Sequence, residues 1–158
     1  KMLNDYLQFA KSQAQEKTSN INLNDLLKQI DENFSNKNLQ IKTFENINFI
    51  GRYSALKRCF ENIIHNGLTY GKNVVLNVQK TTNRVVIIID DDGPGIPEDQ
   101  YKNVFKPFFR LDKSRSLNKS GVGLGLAIVE DIINSHGGNI QLNKNHLKGL
   151  QVRVSLPF

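Results

Sequence analysis

The chain has 158 residues, of which 39% are hydrophobic and 23% charged, with a net charge of +6 and one cysteine, Cys59. This length suits one domain with a buried core, and a single cysteine excludes an internal disulfide and a cysteine-based metal cluster. The basic residues are dispersed without an aromatic-interleaved stripe, so we expect no nucleic-acid partner. There is no run of about 18 apolar residues and no signal-peptide pattern at residues 1–5. We therefore expect a reduced, cytoplasmic fragment that does not span a membrane.

The first part of the chain predicts two helices and then strands. Residues 2–16 carry apolar side chains three and four apart, a narrow stripe that indicates the tail of a longer helix, and residues 18–20 break it. Asn22 then caps a second helix. Its apolar face consists of Leu23, Leu26, Leu27, Ile30 and Phe34. Alternation over 39–44 predicts a strand, and a turn-rich connection with a short strand over 47–50 follows.

The next helix, from about Tyr53 to Tyr70, carries the first candidate site residues. Its buried face is predicted by helical spacing of Leu56, Cys59, Phe60, Ile63, Ile64 and Gly67. Asn62 and Asn66 lie side by side on its flank, one turn apart, and Tyr70 lies one turn further. Two such amides can ligate a hard cation or bond phosphate oxygens, or they are polar residues at a core margin. The helix alone leaves both interpretations open, and His65 is expected to be solvated.

A hairpin with an acidic, glycine-rich end follows. Alternation over 74–78, polar residues at 81–83 and an apolar run over 85–89 predict two paired strands. The second strand leads into Asp90-Asp91-Asp92-Gly93-Pro94-Gly95-Ile96. Residues 97–105 then predict a short helix.

The last part of the chain combines an aromatic cluster at 105–110, a basic loop over 111–120 and a helix opened by glycines. That helix begins around Gly121-Val122-Gly123-Leu124-Gly125 and stops at Gly137-Gly138. Two final strands are predicted over 139–142 and 150–156. The GxGxG spacing does not fit a dinucleotide-binding unit, because a charged loop precedes it and such a unit needs a strand at that place. A Walker phosphate-binding loop is excluded as well, since no GxxxxGK[ST] sequence occurs. Strand, acidic turn, basic loop and glycine-opened helix together predict a nucleotide site of another kind.

The chain resembles the catalytic ATP-binding domain of bacterial sensor histidine kinases, a fold shared with gyrase, Hsp90 and MutL. The resemblance rests on the order of four motifs: an asparagine-bearing helix, a DxGxG turn after a strand, an aromatic segment and the sequence GxGLGLAIV. Residues 61–71 resemble the N box, 90–96 the G1 box, 105–110 the F box and 121–129 the G2 box. The similarity runs from about residue 22 to the end, and among these kinases the EnvZ osmosensor type is the most similar.

The resemblance implies an α+β two-layer sandwich, the Bergerat ATP-binding fold, in which a mixed, mostly antiparallel sheet of about five strands packs against three main helices. Residues 1–17 would then be the end of an upstream dimerisation and phosphoacceptor helix, and residues 18–158 the catalytic domain. The implied ligands are ATP and Mg²⁺. The implied partners are the phosphoacceptor domain of the same protein and a response regulator, with the parent protein in the bacterial inner membrane.

The resemblance also implies roles for residues that lie near the adenine base of the nucleotide. Asp91 would accept a hydrogen bond from the adenine amino group, which distinguishes adenine from guanine by polarity. Gly93 and Gly95 would let the backbone approach the base, and Tyr70 would flank the nucleotide.

Further roles concern the phosphates and the metal. Asn66 would ligate Mg²⁺ and act catalytically together with Asn62. The implied contacts to the polyphosphate come from Gly121, Gly123, Gly125 and Leu126 at a positive helix end. The implied lid cations are Lys113, Arg115 and Lys119.

Two departures from the family pattern affect the expected chemistry. Many members carry a lysine where this chain has Thr69, so that phosphate contact is lost or supplied by Lys72. ATP-hydrolysing relatives carry a glutamate general base where this chain has Asn62, and Glu61 points about 100° away on a helix. Transfer to another acceptor is therefore favoured over hydrolysis of ATP.

The reaction that the resemblance implies is transfer of the γ-phosphoryl group of ATP to a histidine on a separate upstream domain. In the family that histidine lies in an HE-x-x-x-P setting, which His65, His136 and His146 all lack. The alternatives are an ATPase of the same fold, an anti-sigma-type serine kinase, and a degenerate domain that serves only as an interaction surface.

Overall fold

The structure is a computed structural model, and it describes residues 16–35, 37–43, 46–106 and 125–158. Its helices are α1 (Leu23–Asn33), α2 (Tyr53–Tyr70) and α3 (Gly125–Ser135). Its strands are β1 (Ser19–Asn22), β2 (Leu39–Lys42), β3 (Asn48–Gly51), β4 (Val74–Lys80), β5 (Arg84–Asp91), β6 (Asn139–Lys144) and β7 (Leu150–Pro157). In this part of the chain no helix has the length and hydropathy needed to cross a membrane.

The main sheet has five strands in the order β2-β4-β5-β7-β6. Strand β2 runs parallel to β4, and the other neighbouring pairs are antiparallel. The three helices supply the second layer, and α2 packs against both α1 and α3. The predicted two-layer α+β sandwich with a mixed, mostly antiparallel sheet is confirmed.

Strand β5 lies at the centre of the sheet because its sequence is a nearly continuous apolar run. Val85, Ile87 and Ile89 are buried in the core shared with the helices. Successive side chains of a strand alternate between its faces, so Asp91 lies on the same face as these three residues. The strand therefore delivers a carboxylate to the helical layer at the point where the apolar run ends.

Helix α2 matches its predicted boundaries and buried face. All six residues of that predicted face are buried, together with Ala55, whereas His65 is exposed. Cys59 is fully enclosed, and burial raises the pKa of its thiol, as expected for a residue that serves as a small buried hydrophobe. Helix α1 is likewise confirmed, since Asn22 Oδ1 accepts a hydrogen bond from the Asp25 N–H at 3.0 Å.

Two local predictions differ from the structure. The pattern predicts only a helix break at 18–20, whereas the structure has a strand there, β1 (Ser19–Asn22), which pairs with β3 and buries Ile21. A four-residue strand with one apolar side chain depends on its distant partner and has little local pattern of its own. Residues 97–105 form two short 3₁₀ turns in place of one helix. The predicted helix over 2–16, apart from Glu16, and the predicted loop over 111–120 lie outside the described residues.

Helices α2 and α3 are joined at one end by a histidine. The Arg52 N–H donates to His136 Nε2 at 3.0 Å, and His136 Nδ1 lies 2.7 Å from the Ile132 carbonyl oxygen. The neutral ring with its proton on Nδ1 satisfies both contacts. The Glu16 carboxylate accepts from the N–H groups of Ser54 and Ala55 at 2.8 and 3.1 Å, where α2 begins. The bonds of His136 thus tie the beginning of α2 to the end of α3.

Candidate ATP-binding site

The site is organised around the carboxylate of Asp91, which is 9% exposed at the end of β5. Its Oδ1 accepts hydrogen bonds from the N–H groups of Gly93 at 2.9 Å and Leu150 at 3.3 Å. Within the described residues, no donor reaches Oδ2. Burial raises the pKa of Asp91 above its usual range, the two N–H groups act in the opposite direction, and the nearby acids Asp92 and Asp90 raise it further. The protein therefore holds one oxygen of this carboxylate through two backbone N–H groups.

The end of α2 approaches this carboxylate closely because it carries glycine. A Cβ on Gly67 would lie 2.7 Å from Val74 Cγ2 and 3.2 Å from Asp91 Cβ. A Cβ on Gly93 would lie 3.0 Å from the Tyr70 carbonyl group. The helix and the acidic turn thus touch nearly backbone to backbone, and the exposed ring of Tyr70 lies at the same edge.

Asp92 fastens the loop that follows α2. Its Oδ1 accepts from the N–H groups of Lys72 at 2.7 Å and Asn73 at 2.9 Å, and its Oδ2 accepts from Asn73 Nδ2 at 2.9 Å. The bonds from Asn73 are the main reason why the pKa of Asp92 is lowered to about 2. The predicted ligand Lys72 is therefore held at the site through its backbone, with an exposed side chain.

The turn between β6 and β7 covers the other side of Asp91. Gly95 has a φ of +75°, and a Cβ there would lie 3.2 Å from the Lys148 carbonyl oxygen. Gly149 is packed even more tightly, since a Cβ would lie 2.1 Å from the Asp91 carbonyl oxygen. The backbone itself therefore forms the wall around the carboxylate, which only glycine at these positions permits.

Asn66, which directly precedes Gly67 on α2, meets Gly125. A Cβ on Gly125 would lie 3.6 Å from Asn66 Nδ2 and 4.0 Å from its Oδ1. Both residues are half-buried, as is Asn62 one turn earlier. Leu126 packs its side chain against the core. The structure thus brings the asparagine amide next to the beginning of α3, where helical N–H groups carry partial positive charge.

Two further α2 residues are engaged away from the site: Glu61, which is adjacent to Asn62, and Thr69, which departs from the family pattern. Glu61 Oε2 accepts from Asn33 Nδ2 at 2.8 Å and lies 3.9 Å from Lys57 Nζ. Thr69 Oγ1 donates to the His65 carbonyl oxygen at 2.7 Å. The Glu61 side chain therefore faces α1, and Thr69 bonds within its own helix.

The remaining predicted ligands lie outside the described residues: Lys113, Arg115, Lys119, Gly121 and Gly123. Sequence reasoning missed the contributions of Asp92, Leu150 and Gly149. Asp92 belongs to the predicted acidic run, but no local feature of the sequence shows that it, and not Asp91, binds the loop after α2. The role of the β6–β7 turn depends on strand pairing over a long sequence separation, which local patterns do not encode.

The side-chain atoms that could ligate a metal at this site are amide oxygens. Among the residues that the structure describes, no three histidine, cysteine or acidic side chains are grouped to hold a metal ion. Mg²⁺ accepts few protein ligands and commonly shares the phosphate oxygens of a nucleotide. A single amide oxygen of Asn66 beside a helix start fits that mode of binding.

Comparisons with known proteins identify the family of this chain. The family model described as histidine kinase-, DNA gyrase B-, and HSP90-like ATPase matches residues 51–158. The sensor histidine kinase GtrS of Pseudomonas aeruginosa is 41% identical over 107 residues, which are 68% of this chain and 22% of that protein. The sensor histidine kinase CpxA of Escherichia coli is 31% identical over 99% of this chain and 36% of its own length. This chain thus spans about a third or less of either relative.

A solved structure extends the similarity to the fold. The histidine kinase domain of the E. coli osmosensor EnvZ is 32% identical, with a TM-score of 0.70, and the match covers 90% of this chain and 91% of that one. The similarity to EnvZ inferred from the motifs is thus matched by the structure. This chain belongs to the family of histidine kinase-, DNA gyrase B- and HSP90-like ATPases, as the catalytic ATP-binding domain of a sensor histidine kinase.

Proposed function

We propose that this domain binds Mg²⁺-ATP between α2, α3 and the end of β5, and that it transfers the γ-phosphoryl group to a histidine of a separate dimerisation domain. From there the group would pass to a response regulator. The observation that carries the proposal is the half-satisfied carboxylate of Asp91, packed against Gly67, the α2 residue that directly follows Asn66. A base and a polyphosphate need such a pair of polar centres at the two ends of one site.

Recognition of adenine follows from the free oxygen of Asp91. Oδ2 is an acceptor, and the adenine amino group is a donor, so the two form a hydrogen bond. Guanine carries an acceptor oxygen at the corresponding position, which a carboxylate repels. Gly93 and Gly95 are proposed to lie beside the base, although the space next to each is filled by the Tyr70 carbonyl group and the β6–β7 turn, so they allow the backbone to close around Asp91. Tyr70 is proposed to flank the base.

Binding of the phosphates depends on Asn66, Asn62 and the beginning of α3. The amide oxygen of Asn66 would hold Mg²⁺, and Asn62 would support the phosphates one turn earlier. When bound, the metal neutralises charge on the polyphosphate. The helix start at Gly125 adds partial positive charge, and by resemblance Gly121, Gly123, Leu126 and the lid cations Lys113, Arg115 and Lys119 complete the contacts.

The phosphoacceptor is proposed to lie on another domain. His65 is exposed on α2 and His146 in the β6–β7 turn, while both ring nitrogens of His136 are hydrogen-bonded. None of the three has the sequence setting of a family acceptor. Residues 1–17 are proposed to be the end of the helix that leads from that acceptor domain, with 18–158 as the catalytic domain. The parent protein is proposed to lie in the inner membrane, with this domain on the cytoplasmic side, where ATP is available.

The test compares the 158-residue chain with a longer protein that includes the upstream segment. We expect the chain alone to bind ATP without forming acid-labile phosphohistidine, and the longer protein to form it. Phosphohistidine on the chain alone would contradict the placement of the acceptor. Full ATP binding by Asp91→Ala would contradict the site itself, and steady release of free phosphate at saturating Mg²⁺-ATP would indicate an ATPase instead.

A further inference from the structure

Asn145 follows β6 and connects the β6–β7 turn to the end of β5. Its Nδ2 lies 2.9 Å from the Asp91 carbonyl oxygen, 3.2 Å from Asp90 Oδ1 and 3.1 Å from the Leu150 carbonyl oxygen. The side chain is half-buried, at a separation of 54 residues from Asp91 in the sequence. A single amide group therefore reaches β5 and β7 at the same point.

The other end of the same amide organises the turn. Asn145 Oδ1 accepts from the N–H groups of Leu147 and Gly149, both at 2.9 Å. The backbone closes the same loop, because the Asn145 N–H donates to the Gly149 carbonyl oxygen at 3.1 Å. These bonds place Gly149 against the backbone of Asp91, where a side chain would not fit.

The consequence for the site concerns Leu150. It follows Gly149 directly, and its N–H donates to Asp91 Oδ1 at 3.3 Å. A turn residue needs only its acceptor oxygen to hold the following N–H groups. The donor side of Asn145 is not required for a turn, and it is directed at Asp90, Asp91 and Leu150.

We propose that Asn145 is a positioning residue for adenine recognition, which holds the β6–β7 turn against β5 so that Leu150 fixes Oδ1 of Asp91 and leaves Oδ2 for the base. This inference rests on the proposed function, in which Asp91 binds adenine. Asn145 itself does not touch the ligand. Its effect is confined to the base because the amide of Asn66 lies on α2, an element that Asn145 does not contact through its hydrogen bonds.

Asn145→Asp tests the donor side alone. The replacement keeps an oxygen for Leu147 and Gly149 but puts a second oxygen where Nδ2 meets three acceptors. Asn143→Asp makes the same charge change at an exposed position of β6 and is the matched control. Affinities are measured by calorimetry for ATP and, as a probe without a base, for magnesium tripolyphosphate.

We expect Asn145→Asp to weaken ATP binding by about tenfold or more, in line with the loss of one or more hydrogen bonds to buried groups. Tripolyphosphate binding should stay within about twofold of the unmodified chain, and Asn143→Asp should change neither affinity. An unchanged affinity of Asn145→Asp for ATP would overturn the inference. An equal loss for tripolyphosphate would also overturn it, because the site as a whole would then have been disturbed.

A spectroscopic measurement separates positioning from general stability. In the unmodified chain, the amide proton resonance of Leu150 should titrate together with the carboxyl group of Asp91, and this coupling should be lost in Asn145→Asp and kept in Asn143→Asp. Should thermal unfolding show that Asn145→Asp does not fold, Asn145→Ser replaces it, since its shorter hydroxyl can serve the turn but cannot reach Asp91. Asp91→Ala is measured alongside: if it binds ATP fully, the proposed function fails, whereas loss of binding there with no effect at Asn145 refutes only the positioning role.

Discussion

The backbone N–H of Leu150 donates a hydrogen bond of 3.3 Å to Oδ1 of Asp91, although 59 residues separate them in the chain. The Gly93 N–H reaches the same oxygen at 2.9 Å. One donor comes from the acidic turn itself and the other from the last strand of the sheet. The carboxylate is therefore oriented only after β7 has paired with β5, so formation of the site depends on completion of the sheet.

Asp91→Asn should remove ATP binding without loss of stability. Two N–H donors face Oδ1, so the asparagine oxygen must occupy that position and its NH₂ group must replace Oδ2. A donor then faces the adenine amino group, and we expect calorimetry to show at least about a tenfold loss of ATP affinity. The preference for GTP relative to ATP should rise, because guanine offers an acceptor there.

The stability of Asp91→Asn follows from the sign of the pKa shift. Burial raises the pKa of Asp91 above its usual value of 3.8, so ionisation of this carboxyl lowers the stability as the pH rises from 3.8 through the folded pKa, and the full cost is present above it. At neutral pH the neutral amide removes that cost, and the melting temperature should stay equal or rise. Asp31→Asn, at an exposed position of α1, is the control for charge. A clear fall in melting temperature at neutral pH would contradict this account of the buried carboxylate.

Gly149→Ala should be much more destabilising than Gly137→Ala. At Gly149 a Cβ would lie 2.1 Å from the Asp91 carbonyl oxygen, and neither backbone can yield cheaply. We expect a loss of about 2–3 kcal/mol in the free energy of unfolding. Gly137 has a φ of +73°, but a Cβ there would be in ordinary van der Waals contact with Pro157 Cγ at 3.6 Å, so alanine should cost about 1 kcal/mol there. Denaturant titration of both variants measures the difference, and equal losses would show that β5 and the turn separate easily.

Residues with strong local patterns could be predicted, and residues defined by distant contacts could not. The periodicity of α2 gave both of its ends, Tyr53 and Tyr70, because the buried face fixes a helix. The position of Asp91 after an apolar strand was equally visible. Strand β1 and the contact from Leu150 arise from pairing between segments far apart in the chain. No local spacing in the sequence distinguishes such residues from ordinary turn residues.

His136 should make the stability fall as the pH decreases below neutrality. Burial is the main reason why the pKa of His136 lies below the ordinary value of 6.5, and the positive charge of Arg52 lowers this pKa further. The hydrogen bond to Ile132 and the negative charge of Glu16 act in the opposite direction. The unfolded chain therefore binds the proton more tightly, so stability is full above pH 6.5 and decreases as the pH falls through 6.5 towards the folded pKa. Denaturant unfolding at a series of pH values measures this slope.

Two substitutions assign that slope to His136. His136→Gln removes the titration and offers an oxygen near the position of Nε2 for the Arg52 N–H, so the slope in this range should be reduced while most stability at neutral pH is kept. His65→Gln removes an exposed imidazole from α2 and should leave the slope unchanged. An unaltered slope in His136→Gln would mean that other groups cause the acid sensitivity.

Asn62→Glu should convert the domain towards ATP hydrolysis. Asn62 lies one turn before Asn66 on α2, and the ATP-hydrolysing proteins that this chain resembles carry a glutamate general base at that position. A positioned base typically contributes a factor of about 100 or more, so steady-state phosphate release at saturating Mg²⁺-ATP should rise by about that factor.

Two controls separate the general base from other effects of the substitution. Asn62→Gln, whose side chain is as long as that of glutamate but has no basic oxygen, should not change the rate. Glu61→Gln should not change it either, because Glu61 is bound to Asn33 and Lys57 on the side facing α1. If Asn62→Glu binds ATP but releases no additional phosphate, water does not reach this flank of α2, and the absence of a base is not what protects ATP in this domain.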